Sequence, residues 1–198
     1  MKPPRSVYYS CLLFLSFFLF VIGYSITLGD GYYIFDSVKF IALIIIFYWQ
    51  YEKLHLQPWI FFGLGTVMAL HDLGRFGFFT LQWAGFSWDM LTHFAASLMI
   101  MIALLQAFQN VEISFLWKCV ILFFTSLGIA TLGEFVEFFG AIHTPDGQGI
   151  LGVESLGSPI AWLSPDYWDT MKDLVLNALG SIAGIGIWVL FRQQRIST

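Results

Sequence analysis

Three sets of polar residues interrupt apolar stretches of this sequence, and their spacing places the members of each set on one face of a helix. Residues three or four apart are neighbours on a helix surface. The three sets are Asp89 with His93, Glu134 with Glu137, and Asp169 with Asp173 and Asn177. Carboxylates and imidazoles bind divalent metal ions, and inside a membrane they also carry protons or cations. The sets therefore indicate metal or proton chemistry.

Negative charge in these stretches exceeds the positive charge available to compensate it. Six carboxylates face Arg75 and Lys172 as fixed cations, with His71 and His93 as further cations when they are protonated. The six are Asp72, Asp89, Glu134, Glu137, Asp169 and Asp173. In a low dielectric, ionised carboxylates need compensation, so a metal ion, bound protons or water must provide it. Oxygen ligands with one or two imidazoles suit Mg²⁺, Mn²⁺, Fe²⁺ or Zn²⁺ better than copper(I).

The composition excludes a soluble protein. Of the 198 residues, 58% are hydrophobic and 11% are charged, whereas roughly 25% are charged in a typical globular chain. The 22 Phe, 8 Trp and 8 Tyr residues suit lipid-facing surfaces and interfacial belts. We therefore predict an all-α integral membrane protein, and we exclude a soluble enzyme, a nucleic-acid-binding protein and a disordered tail.

A membrane span needs about 20 apolar residues, and the chain offers several such stretches. They lie at about 7–27, 33–51, 58–80, 87–109, 114–140 and 166–191. We interpret the first as a retained helix rather than a secretory signal, because no small-residue cleavage site follows it. No linker or repeat divides the chain. Residues 1–198 are therefore predicted to form one domain, a bundle of six transmembrane helices.

The distribution of Lys and Arg predicts the orientation of this bundle. Lys2, Arg5, Lys53, Arg192 and Arg195 lie at the two ends of the chain or in the connection after the second span. Because short cytoplasmic segments carry the excess of positive charge, both termini are predicted to be cytoplasmic. The connections at 28–32 and 81–86 and the long loop 141–165 are then predicted to lie outside.

Helix geometry predicts that the polar residues of four spans lie at one depth. With a rise of 1.5 Å per residue, His71 lies about 20 Å above the start of the third span, and Arg75 lies one turn further out. The polar residues of the fourth, fifth and sixth spans also fall near the outer ends of those spans. We therefore predict one site in the outer half of the membrane. Its predicted metal ligands are His71, Asp89, His93, Glu134, Glu137 and Asp173.

Several of these residues also have a structural interpretation. A carboxylate such as Asp89 or Asp169 near a helix N-terminus complements the helix dipole. Asn177 can form a hydrogen bond between helices, and Arg75 can simply pair with a carboxylate. Gly180 and Gly184 form a small-residue motif that allows close helix approach. Their predicted partner is the fifth span, around Gly128 and Gly133, and Asp36 and Lys39 are predicted to be interfacial.

Motifs within residues 60–186 resemble the YjdF family of small bacterial inner-membrane proteins. They are Trp88-Asp89-x-x-x-His93-Phe94, Gly133-Glu134-x-x-Glu137 and Asp169-x-x-x-Asp173-x-x-x-Asn177-x-x-Gly180-x-x-x-Gly184, with His71-Asp72 and Tyr167-Trp168-Asp169-Thr170 beside them. The motif order is more distantly similar to the VanZ-like proteins, one of which is linked to teicoplanin resistance, although Glu137 stands where those proteins have Gln. The resemblance implies a multi-pass protein of the bacterial inner (plasma) membrane, and it implies no reaction.

The first functional hypothesis is a metal-dependent membrane hydrolase or transferase. A divalent ion (Zn, Mn, Fe or Mg) would polarise a phosphoryl or carbonyl oxygen or activate water. Asp169 and Asn177 would orient its ligands, and Arg75 would bind a phosphate or a developing anion. At this depth the substrate would be a membrane lipid or a lipid-linked precursor of the cell envelope, with no nucleic acid partner.

Two alternatives stay open at this point. The first is a proton- or cation-coupled transporter, because intramembrane carboxylates and histidines also form relays. The second is a non-catalytic binding or accessory protein whose bundle is held together by a structural metal. A homo-oligomer is compatible with each hypothesis, since a dimer could build a path at its interface.

Overall fold

A computed structural model describes residues 3–29, 31–143 and 165–196, with their side chains at 3–29, 31–135 and 167–190. Within these ranges the chain forms six α-helices and one short β-hairpin. The helices are α1 (Arg5–Leu28), α2 (Gly31–Trp49), α3 (Pro58–Asp72), α4 (Trp88–Ala107), α5 (Phe115–His143) and α6 (Pro165–Ile196). Most of the predicted loop 141–165 lies outside the described residues.

Five of the described helices are long and apolar enough to cross a membrane, namely α1, α2, α4, α5 and α6. The predicted all-α membrane architecture is confirmed to this extent. The third predicted span, 58–80, differs from the structure, because α3 has only 15 residues. Two short 3₁₀ turns, Leu73–Phe76 and Phe78–Thr80, follow it. Between them Gly77 has a φ of 85°, in the left-handed region that glycine adopts most easily.

A small β-hairpin then leads into α4. Strands β1 (Gln82–Trp83) and β2 (Phe86–Ser87) pair antiparallel, and both turn residues, Ala84 and Gly85, have positive φ, as a tight hairpin turn requires. The Ser87 hydroxyl accepts a hydrogen bond from the Met90 amide at 3.2 Å, which caps the first turn of α4. The hairpin therefore fixes where α4 begins, and with it the position of the polar residues in its first two turns.

Apolar side chains of the first three helices form one packed cluster. Phe14 and Phe18 of α1 pack with Ile44 of α2 and with Phe61 and Leu64 of α3. A smaller cluster joins α4 and α5 through Met101, Leu105 and Leu122, among others. Inside lipid such packing stabilises by close van der Waals contact rather than by exclusion of water. These two apolar clusters hold the helices at fixed positions relative to one another, and so position the polar residues that the helices carry.

The α4–α6 pair has the most extensive contact of any two described helices, and glycines on α6 make it possible. A Cβ atom added at Gly180 would collide with the carbonyl oxygen of Phe94, and one added at Gly184 would lie 2.8 Å from the carbonyl oxygen of Leu98. The prediction that Gly180 and Gly184 pack on the fifth span was wrong, because these glycines pack on α4. Nothing lies within 4 Å of a Cβ added at Gly128 or Gly133 on α5.

Side chains at the other end of the bundle bond the backbone of two connections between helices. Gln106 donates a hydrogen bond to the carbonyl oxygen of His55 at 2.6 Å, and Lys118 donates one to the carbonyl oxygen of Gln109 at 3.0 Å. Glu112 is exposed in the same region. These contacts tie the α2–α3 connection to α4 and the α4–α5 connection to α5.

We predict that Gly180→Ala lowers the melting temperature of the detergent-purified protein, because the new methyl group meets backbone that cannot move aside. Overpacking of this kind costs about 1–3 kcal/mol. Gly186→Ala on the same helix is the matched control, since its Cβ meets no atom within 4 Å and alanine favours a helix. Equal melting temperatures for the two variants would contradict the close α4–α6 contact.

Candidate metal centre

His93 lies at the centre of a group of charged side chains that three helices bring together. Its Nε2 atom is 3.4 Å from Asp89 Oδ1 on the same helix and 3.7 Å from Asp173 Oδ2 on α6. Its Nδ1 atom is 3.9 Å from Glu134 Oε1 on α5. We call this group, with Asp169 and Lys172 of α6, the His93 cluster. The cluster brings together predicted site residues from three of the four spans that were expected to contribute to the site.

Both contacts of His93 Nε2 are longer than ordinary hydrogen bonds, and the shorter one matches the spacing of two ligands of one ion. A hydrogen bond between nitrogen and oxygen spans about 2.7–3.2 Å, and both contacts of Nε2 are longer. Two ligands of one ion with bonds of about 2.0–2.1 Å stand about 3.0–3.4 Å apart, depending on the geometry. The ligand atoms of Asp89, His93 and Asp173 all lie within 4.8 Å of one another. These three residues could therefore hold a metal ion.

Asp173 is the residue of this cluster that protein contacts satisfy least. It is 1% exposed, and its Oδ1 atom has no hydrogen-bond partner in the described part of the chain. The nearest cationic contact of that atom is the Lys172 ammonium, at 3.6 Å. A buried carboxylate oxygen without a partner costs free energy, so the position favours a bound cation or a bound proton.

Lys172, which the sequence offers as one of two fixed cations for the carboxylates, belongs to this cluster. Its ammonium donates hydrogen bonds to Asp89 Oδ2 at 3.1 Å and to Asp169 Oδ1 at 2.5 Å. Lys172 is next to Asp173 in sequence, so an ideal helix turns the two side chains to different faces. The available signal was its spacing of three from Asp169, together with a side chain long enough to reach back across the helix.

A second charged group, which we call the His71 cluster, lies between α2 and α3. It consists of Asp36, Ser37, Lys39, His71 and Asp72. His71 Nδ1 is 2.8 Å from Asp36 Oδ2, Lys39 forms an ion pair with Asp36, and Ser37 donates a hydrogen bond to Asp72. Asp36 is fully buried within the protein, and its contact with His71 was not predicted from the sequence.

His71 therefore belongs to a different group from the other predicted ligands. Among the described residues, the sets that could hold a metal are Asp36 with His71 and Asp72, and Asp89 with His93 and Asp173. The indole of Trp88 donates a hydrogen bond to the carbonyl oxygen of Leu70 at 2.9 Å. Because Trp88 precedes Asp89 and Leu70 precedes His71, this bond links the backbones that carry the two clusters.

The two clusters differ in charge balance. In the His71 cluster Lys39 pairs with Asp36, and a protonated His71 would balance the second carboxylate, Asp72, so that the group is neutral. In the His93 cluster, Asp89, Glu134, Asp169 and Asp173 face one fixed cation among the described residues, Lys172. The His93 cluster stays negative even with a protonated imidazole, so it is the one that attracts a further cation.

The remaining predicted site residues lie elsewhere or lack a described side chain. Arg75, in the first 3₁₀ turn, stacks over the rings of Tyr24 and Tyr33, with its guanidinium carbon 5.6 Å from each centroid. Asn177 accepts a hydrogen bond from Ser97 at 2.7 Å, which joins α6 to α4. The side chain of Glu137 lies outside the described residues. The predicted roles of Arg75, Asn177 and Glu137 stay predictions.

Small polar contacts continue along α6 below the His93 cluster. Asn177 with Ser97 lies one turn below Asp173, and one turn further Ser181 lies 2.9 Å from Ser126 of α5. All four side chains are buried. Thr66 and Thr125 do not extend this row, because each bonds a backbone carbonyl of its own helix. The polar residues of the bundle therefore reach deeper than the sequence predicts.

The fold and these clusters define a polytopic helical membrane protein with buried acidic and histidine side chains. A family model described as "Predicted membrane protein (DUF2238)" matches residues 9–195, and the chain belongs to this family. The match is consistent with the resemblance to the YjdF family. No curated protein and no solved structure matches the chain.

We predict that Asp36→Asn destabilises the protein, because it leaves the cations of Lys39 and His71 without their buried counter-charge. Removing one partner of a buried pair costs about 3 kcal/mol, and the partial exposure of Lys39 lowers this figure. The measurement is the melting temperature in detergent at neutral pH. Glu112→Gln, which removes an exposed carboxylate, is the control and should melt like wild type. A wild-type melting temperature for Asp36→Asn would contradict the ion network.

Proposed function

We propose that the His93 cluster binds one divalent metal ion through Asp89, His93 and Asp173, and that the protein is a metal-dependent membrane hydrolase or transferase. One observation carries the proposal. Two buried carboxylates point oxygens at one imidazole nitrogen at 3.4 and 3.7 Å, in a cluster with more carboxylates than cations. Mutual repulsion would push these oxygens apart, so a shared cation is the arrangement that stabilises them.

The donor set fits a catalytic ion. One imidazole nitrogen and two carboxylate oxygens suit Zn²⁺, Mn²⁺, Fe²⁺ or Mg²⁺. Catalytic zinc sites keep three protein ligands and one open position, whereas structural sites are closed by four. The open position would polarise a phosphoryl or carbonyl oxygen or activate water. Three of the described residues could be ligands, and a site of three protein ligands favours the enzyme over the accessory protein with a structural metal.

The surrounding side chains have separate tasks in this proposal. Glu134 faces His93 Nδ1, so it would hold the imidazole in the tautomer that presents Nε2. Lys172 contacts the oxygens of Asp89 and Asp173 that point away from Nε2. Asp169 accepts a hydrogen bond from Lys172 and is the most exposed carboxylate of the cluster. Its position suits a group at the entrance to the site.

The proposed substrate is a membrane lipid or a lipid-linked envelope precursor. Exposed apolar side chains flank the cluster on α5 and α6, among them Leu132, Phe135, Met171 and Val175. In a bilayer these side chains would contact acyl chains, so a lipid could approach from the side. We place the site in the outer half of a bacterial inner membrane, in a chain with six spans and cytoplasmic termini. We also propose that the chain is distantly related to the VanZ-like proteins.

A proton- or cation-coupled transporter is the second candidate, and one observation favours it. The row of buried hydrogen bonds from Asn177 with Ser97 to Ser126 with Ser181 continues below the His93 cluster toward the middle of α6. Such a row could conduct protons or cations if water entered it. A homo-oligomer is compatible with either candidate.

We predict that wild-type protein soaked with Mn²⁺ retains about one equivalent of metal and that Asp173→Asn loses it. Elemental mass spectrometry on detergent-purified protein makes this measurement. Glu134→Gln should weaken binding by about 10–100-fold, as expected for a residue that orients a ligand. Glu112→Gln, outside both clusters, should behave like wild type.

Two results would contradict the metal site. Equal retention in wild type, Asp173→Asn and Glu112→Gln would show that the metal binds elsewhere. No retained metal in wild type, with and without the Mn²⁺ soak, would indicate protonated carboxylates, and the proton-coupled transporter would become the first candidate.

A further inference from the structure

We propose that Lys172 is a built-in counter-ion of the His93 cluster and that a divalent ion competes with its ammonium for the charge of Asp89 and Asp173. This inference rests on the proposed function, because it concerns the same site. It assigns control of the metal affinity to a residue that is not one of the proposed ligands.

The two carboxylates shared by the lysine and the histidine carry the argument. Asp89 turns Oδ1 toward His93 and Oδ2 toward Lys172, at 3.4 and 3.1 Å. Asp173 likewise turns Oδ2 toward His93 and Oδ1 toward Lys172, at 3.7 and 3.6 Å. Each carboxylate therefore lies between the imidazole and the ammonium. A cation bound beside the imidazole and the ammonium of Lys172 would therefore both be attracted by the same two carboxylates.

Burial makes this competition strong. The side chain of Lys172 is 14% exposed, and those of Asp89 and Asp173 are 8% and 2% exposed. Charges a few ångströms apart interact much more strongly here than in water, because little solvent screens them. The ammonium therefore lowers the affinity of the cluster for a second cation by repulsion, while it keeps the carboxylates in place when that cation is absent.

The strength of this competition depends on the charge of the incoming ion. The ammonium repels a divalent ion about twice as strongly as a monovalent ion at the same position, because the interaction energy scales with both charges. The four carboxylates attract the divalent ion in the same proportion, and the ion brings them with Lys172 close to neutrality. Lys172 thus sets the affinity of the cluster for a divalent ion without being one of its ligands.

Removal of the lysine charge tests this proposal. Lys172→Met keeps an unbranched side chain without charge, and Lys172→Arg keeps the charge. Mn²⁺ affinity is measured by isothermal titration of the detergent-purified proteins, and melting temperature is measured with and without Mn²⁺. We expect Lys172→Met to bind Mn²⁺ at least about tenfold more tightly than wild type, and Lys172→Arg to bind like wild type. Without metal, Lys172→Met should melt at a lower temperature than wild type, and saturating Mn²⁺ should restore it.

The outcomes separate this inference from the proposed function. If wild type binds Mn²⁺ and Lys172→Met binds it equally or more weakly, the counter-ion role is wrong and the metal site stands. If neither binds Mn²⁺, both proposals fail. If Lys172→Met folds only when it is purified in millimolar Mn²⁺, the divalent ion replaces the missing charge and the proposal is supported. If Mn²⁺ does not rescue a misfolded Lys172→Met, the proposal is overturned.

Discussion

Buried negative charge is the constraint on which the described polar end of this bundle depends. In the low dielectric of a membrane protein, each carboxylate must find a cation, a proton or a set of hydrogen-bond donors. The His71 cluster meets this requirement with its own lysine and histidine. The His93 cluster meets it only in part, through Lys172. The difference between these two neighbouring groups is what distinguishes a self-contained ion network from a site that accepts an additional ion.

The close contact of α4 with α6 sets the geometry of the His93 cluster. Phe94, whose carbonyl oxygen lies against Gly180, directly follows His93, so the backbone contact fixes the depth of the imidazole relative to α6. The hydrogen bond from Ser97 to Asn177, one turn away, also fixes the depth of α4 relative to α6. A change in the packing of the two helices would therefore alter the distance between His93 and Asp173. The glycines contribute to the site although they contact none of its charged atoms.

Spacing along single helices predicted part of the candidate site. Asp89 with His93 and Asp169 with Asp173 share helix faces, and the structure brings His93 to Asp173 as the common depth of the spans implied. Composition likewise predicted helices long and apolar enough to cross a membrane, and five are present among the described residues. Both results depend on residue spacing and on the length of apolar stretches, which a single sequence displays directly.

Contacts between helices could not be predicted in the same way. Asp36 looked interfacial because Lys39 lies one turn away, yet its partner His71 is 35 residues further along and reaches it only through the packing of α2 on α3. The glycine motif predicted close approach but not the identity of the partner helix, since a small-residue stripe accepts any neighbouring backbone. The end of α3 at Asp72 was missed because apolar residues resume after His71 and Asp72 and extend to Phe79.

The shortness of α3 has a consequence for the membrane around it. Fifteen helical residues cover about 22 Å, whereas the hydrocarbon layer of a bilayer is about 30 Å thick. In the six-span arrangement proposed above, hydrophobic mismatch of this size would be relieved by local thinning of the bilayer, which would draw headgroups and water inward beside the 3₁₀ turns and the hairpin. His71 and Asp72 at the end of α3, and Asp89 just beyond the hairpin, would then border a dimple in the leaflet rather than its dry interior.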